Sequence, residues 1–75
     1  MNNTRMALVK FKGACGNDVM IDTNSIEIVY GIKLMGKDCT YVRLKSGKTI
    51  ILADEMKRFI KKVAEAVSRV EGIVE

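Results

Sequence analysis

One change of period divides this chain. Through Leu52 its apolar residues mostly alternate with polar ones, the step of two that marks half-buried strands. From Met56 they recur at steps of three and four. Met56, Phe59, Ile60, Val63, Val67 and Val70 make one stripe, widened by Ala64 and Ala66, while Lys57, Arg58, Lys61, Lys62 and Arg69 fall on the other side. Asp54 supplies a start signal, with Glu55 in the first turn where the macrodipole favours an anion, and Gly72 supplies a stop. These signals predict a helix over 54–71. An isolated helix of that length is marginal in water, so its stripe needs a surface to cover.

The preceding hairpin provides that surface. Tyr41 to Leu44 and Thr49 to Leu52 flank a turn at Ser46-Gly47. A two-residue loop would put Val42 and Leu44 on one face with Thr49 and Ile51. A three-residue loop with Gly47 left-handed, as a bulge, puts them with Ile50 and Leu52 instead. The second register makes a four-residue aliphatic patch and is preferred. Tyr41 and Ile51 then face away from the helix.

Upstream, Met6 to Lys12 alternates, with Ala7, Val9 and Phe11 on one face. Gly13 to Asn17 is a glycine-rich turn. Asp18 to Asp22 is a short strand with Val19 and Ile21 inward, and Thr23-Asn24-Ser25 turns again. Ser25 to Lys33 reads as a third strand, with Ile26, Ile28, Tyr30 and Ile32 on one face, Val29 on the other, and Gly31 as a bulge or close-approach point. Leu34 to Asp38 reads as a loop. Residues 1–5 are expected to be flexible, 6–52 to form the strands, and the whole chain to be one domain.

Strands followed by one helix predict an α+β fold: a five-stranded antiparallel meander with the C-terminal amphipathic helix on one face. The sheet is either open or curled and barrel-like, burying both faces itself. If open, Leu8, Met20, Val29, Tyr41 and Ile51 give its uncovered face more apolar surface than solvation requires. A chain of 75 residues buries only ~60% of the surface exposed when unfolded. Self-association is a common remedy.

Two runs carry a resemblance. Ile21-Asp22-Thr23-Asn24-Ser25-Ile26-Glu27, and Thr40-Tyr41-Val42-Arg43-Leu44-Lys45-Ser46-Gly47-Lys48-Thr49-Ile50-Ile51-Leu52 leading straight into the helix, resemble the small flagellar FlbD-type proteins over most of residues 8–63. The resemblance implies a short chain tied to flagellar loci and carries no catalytic motif. The GACGN turn and the GKDC loop depart from that family's pattern. The strand, turn, strand and helix also resemble the first half of a LytTR-type DNA-binding domain, which implies nucleic-acid binding but assigns no contact residue here.

Several chemistries lack their parts. With no histidine, histidine-based nucleophile systems and histidine metal ligands are absent. The two cysteines, Cys15 and Cys39, are too few and too far apart for a zinc pattern, and the aspartates are scattered at turns. Gly13-Ala14-Cys15-Gly16 lacks the Lys-Ser/Thr ending of a phosphate loop. No cofactor, metal, small-molecule substrate or catalytic residue is expected. Residues 1–12 hold charges and no long apolar run, so a cytoplasmic setting with free thiols is the default and membrane insertion is not expected.

What remains is binding. The leading expectation is a non-catalytic protein-interaction module that self-associates, with Val29, Tyr41 and Ile51 as contact residues. The alternatives are a nucleic-acid binder, in which Lys57, Arg58, Lys61 and Lys62 grip phosphates joined by Lys45 and Lys48, and a small inhibitor or regulator that caps a larger protein. A net charge of +4 permits the nucleic-acid reading without requiring it. No aromatic interrupts the basic run, which argues against single-strand stacking.

Overall fold

Alternation at the N-terminal end of the chain puts Ala7, Val9 and Phe11 on one side, and all three are buried. A computed structural model of the protein describes residues 7–74, with side chains described through Arg69. The expectations for residues 1–5 and for the side chains of Met6 and Val70 lie outside the described residues. The elements are β1 (Leu8–Lys12), β2 (Asp18–Asp22), a 3-10 turn (Thr23–Ser25), β3 (Ile26–Leu34), β4 (Lys37–Leu44), β5 (Thr49–Leu52) and α1 (Met56–Val74).

The fold is α+β, with all strand pairs antiparallel. β1 and β2 form one sheet, and β3, β4 and β5 form another. The two meet where β1 runs on beside β5: Gly13 bridges to Leu52, Ala14 N–H donates to the Ile51 carbonyl at 2.9 Å, and Ala53 N–H to the Lys12 carbonyl at 2.8 Å. At the other end β2 passes through the 3-10 turn into β3, with the Asp22 carboxylate accepting from Asn24 N–H at 3.0 Å. The strands therefore curve around a common core without closing into a barrel. That core is Val9, Phe11, Ile21, Val42, Leu52 and Phe59, with Val19, Val29, Ile50 and Val63 packed against it.

The β4–β5 register is the three-residue-loop one. Val42 pairs with Ile50 and Tyr41 with Ile51, and Gly47 has φ +95°. Gly47 N–H donates to the Leu44 carbonyl and Leu44 N–H to the Lys48 carbonyl, both at 2.8 Å. Only glycine enters this region without a Cβ penalty, which is why the sequence could choose between the two registers.

Three details depart from the sequence reading. The expected loop over 34–38 is a two-residue turn, Met35-Gly36, both at positive φ, and Leu34, Lys37 and Asp38 are strand residues. A methionine in the left-handed region costs about 1–2 kcal/mol, so Met35 gave no turn signal. In β3 the pairing jumps from Ile26–Leu44 to Ile28–Arg43, leaving Glu27 as a bulge. One inserted residue reverses every later side chain. Val29 thus pairs with Val42 over the core, whereas Ile28 and Tyr30 face out. Gly31 is neither the bulge nor a forced close approach: a Cβ there would make an ordinary 3.7 Å contact with the Met56 sulfur.

The third departure is the helix. It starts at Met56 and runs through Gly72 to Val74. Glu55, whose carbonyl accepts from Phe59 N–H at 3.0 Å, takes the N-cap position expected of Asp54. Asp54 instead ties the connector down: its carbonyl accepts from the hydroxyl of the fully buried Thr40 at 2.7 Å, and its carboxylate meets Lys62 Nζ at 3.5 Å. The stripe is also rotated from its expected setting. Phe59 stacks on Phe11 with ring centroids 5.0 Å apart, and Val63 and Ala66 follow it onto the core. Ile60 is left 52% exposed, and Ala64 is exposed too. Lys62 takes the flank instead, its stem along the core and its ammonium 4.6 Å from the centre of the Phe11 ring.

Candidate interaction surface

The three-stranded sheet has a covered side and an open one. Residues alternate across it, so those paired with Tyr41 and Arg43 share the open side. Tyr30 and Tyr41 are cross-strand partners, and their rings stack with centroids 4.7 Å apart and planes 15° off parallel. Ile51 lies opposite Tyr41 on the far strand, and Ile28 and Thr49 flank Arg43 one row along. Tyr30 is 47% exposed and Ile28 42%. Tyr41 and Ile51 are half-buried, because the Gly13–Asn17 turn comes up beside them.

Two ion pairs lie on this sheet, one of them at the margin of the patch. Arg43 Nε sits 3.6 Å from Glu27 Oε1 at one end, and Lys33 Nζ 3.2 Å from Asp38 Oδ1 toward the Met35-Gly36 turn. Both pairs are well exposed. The Arg43–Glu27 pair borders an apolar centre of two tyrosines and two isoleucines, whereas Lys33 and Asp38, in phase with Val29 and Val42, stand on the covered side.

Of the three contact residues read from sequence, the structure brings Tyr41 and Ile51 together and removes Val29, which belongs to the core. Ile28 and Tyr30 were missed because strict alternation from Ile26 placed them inward. The conflicting signal was present: a core position at Tyr30 would have left a phenol to satisfy.

The six basic residues do not form one patch. Lys57, Arg58 and Lys61 are exposed on the first half of α1, and none forms an ion pair among the described residues. Lys62 is turned inward, donating to the Lys10 carbonyl at 3.2 Å as well as meeting Asp54. Lys45 and Lys48 sit in the β4–β5 turn, at the opposite end of β5 from the helix start.

Beside the β3–β4 hairpin, a groove of about 530 Å³ opens between the strands and the start of α1, lined by Gly31, Ile32, Cys39, Met56 and Ile60 among others. Cys39 is buried. Cys15 is exposed, its thiol donating to Asn17 Oδ1 at 3.0 Å. Among the described residues no three of His, Cys, Asp or Glu gather where they could hold a metal ion, and no helix is long and apolar enough to cross a membrane. No family model, curated protein or solved structure matches the chain.

Proposed function

We propose that this protein is a non-catalytic binding module that self-associates through the open side of the β3–β4–β5 sheet. The observation that carries this reading is the stacked Tyr30–Tyr41 pair beside Ile28 and Ile51, with Tyr30 and Ile28 exposed and Tyr41 and Ile51 half-buried. The other side of the same sheet already has its helix and its core. Leaving two tyrosines and two isoleucines on the free side serves no folding purpose that the described core requires. Burying such a patch returns roughly 25 cal/mol per Å² of apolar surface, most of it offset by the cost of association.

Light scattering tests it. The wild-type chain is expected at a multiple of its 8.4 kDa mass, and Tyr41→Asp and Ile28→Asp at 8.4 kDa with folded circular dichroism spectra. A wild type that stays monomeric at high micromolar concentration ends the reading.

A second reading has its own observation: Lys57, Arg58 and Lys61 project from one helix without acidic partners. Three phosphate contacts give a slope near −2.7 in log K against log salt, a loss of about fortyfold between 50 and 200 mM. A duplex or single strand that fails to bind at low salt removes this alternative, as does binding unchanged in a Lys57→Glu/Lys61→Glu chain.

A further inference from the structure

We propose that the second copy adds along the free edge of β3, antiparallel, about a two-fold axis through Tyr30. This rests on the self-association proposed above and places its contact at the β3 rim of the open side, at Ile28 and Tyr30, with Tyr41 and Ile51 one and two strands behind it. β3 is hydrogen-bonded to β4 on one side and, among the described residues, to no strand on the other. Its nine residues contain no proline and a single lysine, so little guards its edge.

The strand is chemically self-complementary about its centre. Reading outward from Tyr30, Val29 matches Gly31 and Ile28 matches Ile32, and the bulge at Glu27 ends the match there. A two-fold axis at Tyr30 places each residue opposite its counterpart in the other copy. Apolar then meets apolar over residues 28–32. The other free edge fails the same test. Centred on Met20, β2 would set Asp18 against Asp22, two carboxylates face to face.

The backbone is set for this register. Leu34 and Lys37 flank a two-residue turn, and in such a hairpin the flanking pair exchanges hydrogen bonds. Alternation then commits Ile32, Tyr30 and Ile28 to β4 and points the N–H and C=O groups of Val29, Gly31 and Lys33 at the open edge. Val29 of one copy and Gly31 of the other exchange both bonds, and the symmetry repeats the exchange. Tyr30 meets Tyr30 across the axis in the closer, non-hydrogen-bonded kind of pair, with Cα atoms about 4.5 Å apart. The stacked tyrosines of each copy join into one row across the enlarged sheet. On the inner side the added strand borders the groove by Gly31 and the half-exposed Ile60.

Oxidative cross-linking reads the register directly. In a Cys15→Ser parent, with Cys39 left buried, Tyr30→Cys is expected to form covalent dimers at least tenfold faster than Ile28→Cys or Ile32→Cys alone. Those residues lie about 13 Å from their own copies across the axis. An equal mixture of Ile28→Cys and Ile32→Cys chains is expected to cross-link as fast as Tyr30→Cys. A dimeric parent whose cross-links ignore these pairings overturns the register but leaves self-association standing. A monomeric parent removes both. Because Tyr30→Cys gives up a ring, a second measurement keeps it. A synthetic chain with N-methylglycine at position 31 lacks one edge N–H and keeps every side chain. Its dimer dissociation constant is expected to rise about tenfold to a hundredfold, with the monomer's circular dichroism unchanged. Undiminished affinity overturns the proposal.

Discussion

Among the described residues β2 and β3 are the two edge strands, and they are built to opposite ends. β2 has five residues, begins and ends with aspartate, and pairs with a strand whose exposed side carries Lys10 and Lys12. Asp18 reaches both lysines, at 3.9 and 2.9 Å. β3 has nine residues and shows solvent Ile28, Tyr30 and Leu34. A short edge with charges at both ends resists the addition of another strand, and a long apolar one invites it. Two edges of one small fold, under the same helix, thus differ in how far they guard against an added strand.

The largest effect is expected where the two edges share support. Phe59 stacks on Phe11 of β1 and packs in the same core as Val42 of β4, so Phe59→Ala should cost about 3–5 kcal/mol and loosen both hairpins together. Urea unfolding followed by circular dichroism measures it. A loss below about 1 kcal/mol would mean that the helix does not hold the two sheets together. Next comes a change that gives β3 the character of β2. Ile28→Lys should weaken self-association more than tenfold while shifting monomer stability by about 0.5 kcal/mol or less, because the side chain is exposed. Equal losses in both quantities would show that Ile28 serves the fold and not the surface. The smallest effect is expected at β2. Asp18→Ala removes two exposed ion pairs and should cost about 0.2–1 kcal/mol, an effect that shrinks further in 0.5 M salt. An increase in the chain's mass by light scattering would then show that this aspartate guards the edge as well.

Much of this frame was legible in the residues. Alternation around Phe11 and Ile21 marked β1 and β2, and Ser46-Gly47 with the four aliphatic residues around it fixed how β4 meets β5. The hidden parts are the ones that alternation cannot express. The bulge at Glu27 carries no glycine or proline to announce it, and it exchanged the roles of Val29 and Tyr30. Lys62 reads as solvent-facing from its charge, yet its long apolar stem and the ring of Phe11 made it a flank of the stripe, and Ile60 was displaced. Of the candidate surface, Tyr41 and Ile51 came from strands with unbroken period. Ile28 and Tyr30 lay just past the break in theirs. The basic cluster was overcounted because sequence spacing does not show that β5 separates Lys45 and Lys48 from the helix start.

The hydroxyl of Thr40 has a consequence for how α1 is seated. It is fully buried and bonds to one carbonyl, that of Asp54, two residues before the helix begins. If α1 slid by a turn or rolled while still docked, that hydroxyl would be stranded in apolar surroundings, at a cost of about 1–3 kcal/mol. Grease alone would let a cylinder drift along a pleated surface; this oxygen indexes it, like a detent on a shaft.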